Sequence, residues 1–183
     1  MNSIWRDTLK QNITRLVLGI LSTSLIFIAS FTQAVEQSFA AADFEQILLQ
    51  SKEDAEKGKV INSSFGIGTH KDEILKEYGK PDYQDEFSLN YLSSKQVSFA
   101  LDNNGKVIQI FTTDKDLLEV NSEQTEKVLG PPKCAQGGFG KVYWTYQFGE
   151  YGLTFEWRNQ DDARPLLSAT VKKFVPEECN PVR

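Results

Sequence analysis

The sequence predicts an α+β fold, an N-terminal helix followed by two tandem helix-plus-antiparallel-meander repeats. Three observations lead there. A short amphipathic stretch ending on a Gly-x-Pro stop occurs twice, as Gly79-Lys80-Pro81 and as Gly130-Pro131-Pro132, at an offset of 51 residues. After each stop come runs in which apolar and polar residues alternate, the two-residue period of half-buried strands. Between two of those runs, Asp102-Asn103-Asn104-Gly105 carries the chemistry of a hairpin turn.

Residues 1–40 read as a targeting segment. Arg6, Lys10 and Arg15 precede an uncharged apolar run of 16 residues over 16–31, and small residues at Thr32-Gln33-Ala34 and Ser38-Phe39-Ala40 offer cleavage sites near 34 or 40. A spanning helix needs about 20 apolar residues, so the layout fits a signal peptide. The alternative is an uncleaved anchor over 16–31, the one route by which the chain would touch a membrane. Residues 41–183 are then a single exported domain, secreted or extracytoplasmic, with repeats at about 65–116 and 117–176.

Residues 41–58 read as a helix with Phe44, Ile47, Leu48 and Ser51 on one face and Gly58 as its stop. In the first repeat Thr69 is the expected helix cap with Asp72 three residues on, and Ile67, Ile74, Leu75 and Tyr78 form the apolar side. Gly79 and Pro81 end the helix. Leu89 and Tyr91, then Val97, Phe99 and Leu101, then Val107 to Phe111 mark three strands, the last apolar on both faces and so central. The second repeat offers Asn121 and Gln124 at the cap. Its strands are marked by Val142, Trp144, Tyr146 and Phe148, by Leu153, Phe155 and Trp157, and by Leu167, Ala169, Val171 and Val175. Gly137-Gly138-Phe139-Gly140 reads as a loop before the Val142 strand.

Composition narrows the function. The sequence pI is about 5.0. Cleavage after Ala34 would leave 17 basic and 24 acidic residues, a net charge of −7. That balance argues against nucleic acid, which selects clustered Lys and Arg. Cys134 and Cys179 are the only cysteines. Outside the reducing cytosol a disulfide between them would close the C-terminal half, two separate thiols being the alternative. Two cysteines and one distant histidine are too few for a structural zinc site, and no cofactor is implied.

Catalysis finds little to work with. His70 is the only imidazole, and the repeat at offset 51 has Asn121 in its place, so the module does not need it. Asp82, Asp85 and Glu86, and Asp161-Asp162, are acidic clusters in expected loops, where charges are ordinarily solvated. A glycosidase would need two acids across a cleft. Calcium at Asp161-Asp162 or at Asp102 to Asn104 lacks the full alternation of oxygen ligands. The remaining signal is the second repeat's sheet. By alternation Trp144, Tyr146, Phe155 and Trp157 face the helix layer, and Tyr143, Thr145, Thr154, Glu156, Arg158 and Thr170 share the other face. A solvated sheet face is ordinary, and Tyr and Arg on one also suit a binding site.

The stretch from Gly58 to Asp82 (GKVINSSFGIGTHKDEILKEYGKPD), the YLSSKQVSFALDNNGKVIQI hairpin and the VLGPP stop, in that order and spacing, resemble the YjgB-type secreted proteins of Gram-positive bacteria, a family defined by a domain of unknown function. The resemblance runs from about Phe44 to Val175. The helix-plus-sheet unit also resembles the small outer-membrane assembly lipoproteins and the secreted β-lactamase-inhibitor proteins. Those resemblances imply a non-catalytic protein that binds another protein through a sheet, without naming the partner. The expected function is a secreted binding protein for an extracellular protein or envelope component, through the solvated face of the sheet. The alternatives are an extracytoplasmic hydrolase acting on cell-wall material and a structural envelope protein.

Overall fold

The computed structural model describes residues 43–159 and 164–179. The leader read over residues 1–40 and the Asp161-Asp162 pair lie outside them. Helix α1 runs through residues 43–56 and buries Leu48, Ser51 and Ala55 on one stripe, with Phe44 and Ile47 packed beside the core. The first half continues with α2 (Lys71–Tyr78), β1 (Tyr83–Gln84), β2 (Ser88–Tyr91), α3 (Leu92–Lys95), β3 (Val97–Leu101) and β4 (Val107–Thr112). The second half holds α4 (Lys115–Leu118), α5 (Ser122–Leu129), β5 (Cys134–Gly138), β6 (Lys141–Phe148), β7 (Tyr151–Arg158) and β8 (Leu166–Lys173), then a 3-10 turn at Pro176–Glu178.

Among the described residues eight strands form one antiparallel sheet in the order β1-β2-β3-β4-β8-β7-β6-β5. The last strands of the two halves meet at its centre, with Ile110 opposite Val171 and Phe111 opposite Thr170. The apolar character of β4 on both sides follows from that central place. Val107, Ile110 and Thr112 are buried, and Phe111 is half-buried on the opposite face.

Each half carries four strands where the alternation predicts three. β1 is only two residues long, too short to show a period. β5 is the sequence Cys-Ala-Gln-Gly-Gly, with none of the β-branched or aromatic residues that mark strands. Gly137 and Gly138, expected in a loop, pair with Val142 and Lys141, and Phe139-Gly140 alone form the turn. Both turn residues have positive φ, 52° and 75°, the geometry of a two-residue type I′ hairpin.

The first helix is capped one residue later than the sequence suggests. His70 is the N-cap of α2, its Nδ1 accepting the Asp72 N–H at 3.3 Å. Thr69 instead accepts the Gly66 N–H through Oγ1. The second cap is as expected, Asn121 and Gln124 exchanging the two hydrogen bonds of a capping box. His70 and Asn121 stand at the offset of 51, and Nδ1 and Oδ1 are acceptors two bonds from Cβ, so each meets a backbone N–H at the helix start. Both helices stop at a glycine of positive φ, 75° at Gly79 and 77° at Gly130.

The helix side of the sheet holds the core, in which Phe99, Ile110, Phe155, Trp157 and Val171 are fully buried with Leu48 and Ile74 from the helices. Tyr146 joins them and Trp144 is half-buried, as the alternation predicts. One expectation shifts. A bulge beside Glu156 and Trp157 sets Leu166, not Leu167, opposite Trp157 and into the core. β8 ends at Lys173, so Val175 is exposed beyond it.

Candidate functional site: a strapped cleft on the outer sheet face

Strand register sorts the outer face into rows. Cys134, Thr145, Thr154 and Thr170 lie side by side across β5, β6, β7 and β8. The next row toward one end reads Gln136, Tyr143, Glu156 and Ser168. Toward the other end it reads Gln147, Gly152, Lys172 and Gln109. The Thr145 and Thr154 hydroxyls bond each other at 2.9 Å, a cross-strand pair of the kind that steadies a ladder.

This face is partly roofed. After β8 the chain from Phe174 to Cys179 crosses β7 and β6 and reaches edge strand β5, where Cys179 forms a disulfide with Cys134. Their Cα atoms are 5.5 Å apart, an ordinary disulfide span. Three further contacts hold this strap. The Phe174 N–H donates to the Glu150 carbonyl at 2.9 Å. Gln136 Nε2 donates to the Glu178 carbonyl, and the Glu178 carboxylate pairs with Lys172. Phe174 lies over Gly152, where an added Cβ would come within 3.3 Å of its ring and 3.4 Å of the Thr145 methyl. A side chain there would make the Phe174 ring give by a few tenths of an ångström, so the missing Cβ suits the close approach.

Between strap and sheet lies a cleft of about 240 Å³. Its floor is Thr145, Thr154, Thr170 and Gly152. Gln109 and Lys172 flank it on one side, Gln136 and Tyr143 on the other, and Phe174, Val175, Glu178 and the disulfide form its strap wall.

Four of the six face residues read from the sequence therefore line one cleft: Tyr143, Thr145, Thr154 and Thr170. Glu156 shares the face but is engaged beside the cleft, pairing with Lys141 and accepting from Ser168 at 3.2 Å. The Glu156 carboxylate, by hydrogen bond and charge, holds the Lys141 ammonium above its ordinary range. Arg158 is exposed at the end of β7, outside the cleft. Of the strap, the sequence marks only Cys179, as half of an expected disulfide with Cys134. Cys179 was the available signal, since its disulfide has to draw the last segment across the face.

The other chemistry weighed in the sequence has local explanations. Asp102 accepts the Asn104 and Lys106 N–H groups, both at 2.8 Å, so it builds the hairpin turn, and those bonds lower its carboxyl's pKa. Asp85 is likewise lowered, chiefly by the Ser88 hydroxyl and the Phe87 N–H. Among the described residues no group of three His, Cys, Asp or Glu is placed to hold a metal, and no helix is long and apolar enough to cross a membrane.

Comparison with known proteins agrees with this architecture. None of the curated proteins matches the chain. The crystal structure of a DUF4309 family protein (YjgB) from Bacillus subtilis subsp. subtilis str. 168 is similar, with a TM-score of 0.59 and 17% sequence identity over 71% of this chain and 97% of that one. At that identity the likeness concerns the fold alone. Residues 48–172 match the family described as "Domain of unknown function (DUF4309)". That match takes in α1 from Leu48 and every strand of the sheet to Lys172, so the chain belongs to the DUF4309 family.

Proposed function

We propose that this is an extracytoplasmic binding protein, working without catalysis, whose ligand docks in the cleft between the outer sheet face and the C-terminal strap. The observation that carries the reading is the convergence of Tyr143, Thr145, Thr154 and Thr170 beneath a segment fastened by Cys134–Cys179. Ligand sites are concave and hold a few fixed polar groups. Here a disulfide and a bare glycine keep such a concavity on a sheet that would otherwise be open. The disulfide and the leader expected over residues 1–40 both support export from the cytosol. The cleft's own carboxylate, Glu178, is held by Lys172, which suits a role in fixing the strap better than one in proton transfer. The partner is an extracellular protein or an envelope component, and inhibition of an extracellular enzyme is one form the task can take.

Capture by immobilised protein from the envelope and extracellular fraction of the source cells tests this. Tyr143→Ala should abolish retention and Arg158→Ala, outside the cleft, should leave it intact. Retention that ignores Tyr143→Ala but falls with Arg158→Ala would move the site elsewhere. Turnover of cell-wall material that is lost on substitution of His70 or Glu178 would replace the binding reading with the hydrolase.

A further inference from the structure

We infer that the strapped cleft is a subsite for one ring of a neutral carbohydrate chain, an inference that rests on the binding reading above. The charges around the cleft are engaged. Lys172 pairs with Glu178, Lys173 stands 3.5 Å from Glu150, and Lys141 pairs with Glu156 beside Tyr143. A charged ligand would have to share or displace one of these partners, and a neutral one would not.

The uncharged groups are available. Among the described residues the Gln109 amide and the Tyr143 and Thr170 hydroxyls make no side-chain hydrogen bond within the structure, while each lines the cleft or its rim. The Thr145–Thr154 pair uses one proton between two hydroxyls and leaves a second proton and lone pairs free. Hydroxyls and amides both donate and accept, as every sugar hydroxyl does, so they can satisfy a polyol in any of its orientations. Two aromatic rings, Phe174 and Tyr143, supply apolar surface against which the C–H face of a sugar ring packs.

Size and backbone point the same way. Pockets for drug-sized ligands run to about 300–1,000 Å³, and this one, at about 240 Å³, holds a unit rather than an oligomer. The floor strands are hydrogen-bonded to neighbours on both edges, β7 to β6 and β8, and β8 to β4 and β7. They have no free edge for a peptide strand to extend. Recognition falls to side chains on the face, over which the rest of a glycan can run.

The test is a titration of the full chain followed by amide NMR. The probes are chitotetraose, cellotetraose and maltotetraose, with tetragalacturonate and the peptide Gly-Ser-Gly-Ser as charged and peptide comparators. A neutral tetrasaccharide should shift the Gly152, Thr154 and Thr145 signals saturably. Thr170→Val should weaken that binding about tenfold, as for one lost hydrogen bond. Tyr83→Ala, on the far edge of the sheet, should not change it. If Thr170→Val lowers the thermal midpoint, Gln109→Ala reads the same loss from the neighbouring strand. Cleft signals unmoved by all three tetrasaccharides, or moved only by the galacturonate or the peptide, overturn the inference. If that happens while Tyr143→Ala still abolishes capture of a partner, the ligand class falls and the binding reading stands.

Discussion

The Tyr91 hydroxyl donates a 2.7 Å hydrogen bond to the carbonyl of Gly79, the residue that ends α2. Tyr146 does the same for Gly130 at the end of α5, at 3.2 Å. The final carbonyls of a helix lack partners within it, so each tyrosine completes a helix end and pins it to the sheet. Tyr91→Phe and Tyr146→Phe keep the buried rings and remove only the bonds. Each should lower the unfolding free energy by about 1 kcal/mol. The pairs belong to different halves, so the double variant in urea should match the sum to within about 0.5 kcal/mol. A large departure from additivity would show that the two helix ends are coupled.

Alkaline pH should act on the same tyrosines. Burial, and then the Glu126 charge, push the Tyr146 phenol far above its ordinary value, and burial raises Tyr91 and Tyr151 as well. A phenol whose pKa is raised by folding contributes stability that is fully present below the unfolded value of about 10 and is lost as pH rises through the folded one. Stability should therefore hold to about pH 10 and decline above it. Tyr146→Phe should lower the plateau yet flatten the decline, as read by denaturant unfolding at a series of pH values. An unaltered slope would assign the alkaline loss to other groups.

The disulfide closes a loop with a sequence separation of 45. Chain entropy assigns such a loop about 4 kcal/mol, and measured values commonly fall between about 2 and 4. The variant Cys134→Ser/Cys179→Ser should lose that much stability while keeping its sheet. Hydrogen exchange should quicken first at the Phe174 amide, which donates to Glu150 at the root of the strap. If Phe174 stays as protected as β7, the strap is held by its polar contacts and the cysteines are dispensable to the cleft.

Phe139 is fully exposed and adopts φ 52° at the first central position of the β5–β6 turn, where Asn is favoured. Phe139→Asn should raise stability by about 1 kcal/mol, since the aromatic ring contributes no packing to offset its left-handed backbone. A rise in thermal midpoint confirms this, and a fall would show that the ring stabilises the turn in solution.

What was legible in the sequence follows from periodicity. Thr145, Thr154 and Thr170 could be placed on one face because apolar and polar residue types alternate in the sequence around Tyr146, Phe155 and Val171. The Gly-x-Pro stops were legible because positive φ and a missing N–H are written in residue type. The strap was not. Phe174 to Cys179 has no period of its own, and its course is set by a cysteine far back in the chain and by the bare surface at Gly152. β5 was missed for a related reason, since its pairing with β6 comes from the hairpin and not from its own composition. His70 could have been read as a cap by carrying the offset of 51 through to Asn121.

A sheet that joins its halves through their last strands closes late. Made from the N-terminus, the chain completes β1 to β4 and then leaves β4 as a bare edge until β8 appears, Val171 following Ile110 by 61 residues. Non-local pairings of this kind slow folding, and an unpaired edge is open to strands of other chains. Only a few residues after β8 comes Cys179, whose bond to Cys134 fastens the half that has just docked. The covalent clasp thus sits just beyond the strand that fills the vulnerable seam, and it ties the segment after that strand to edge strand β5.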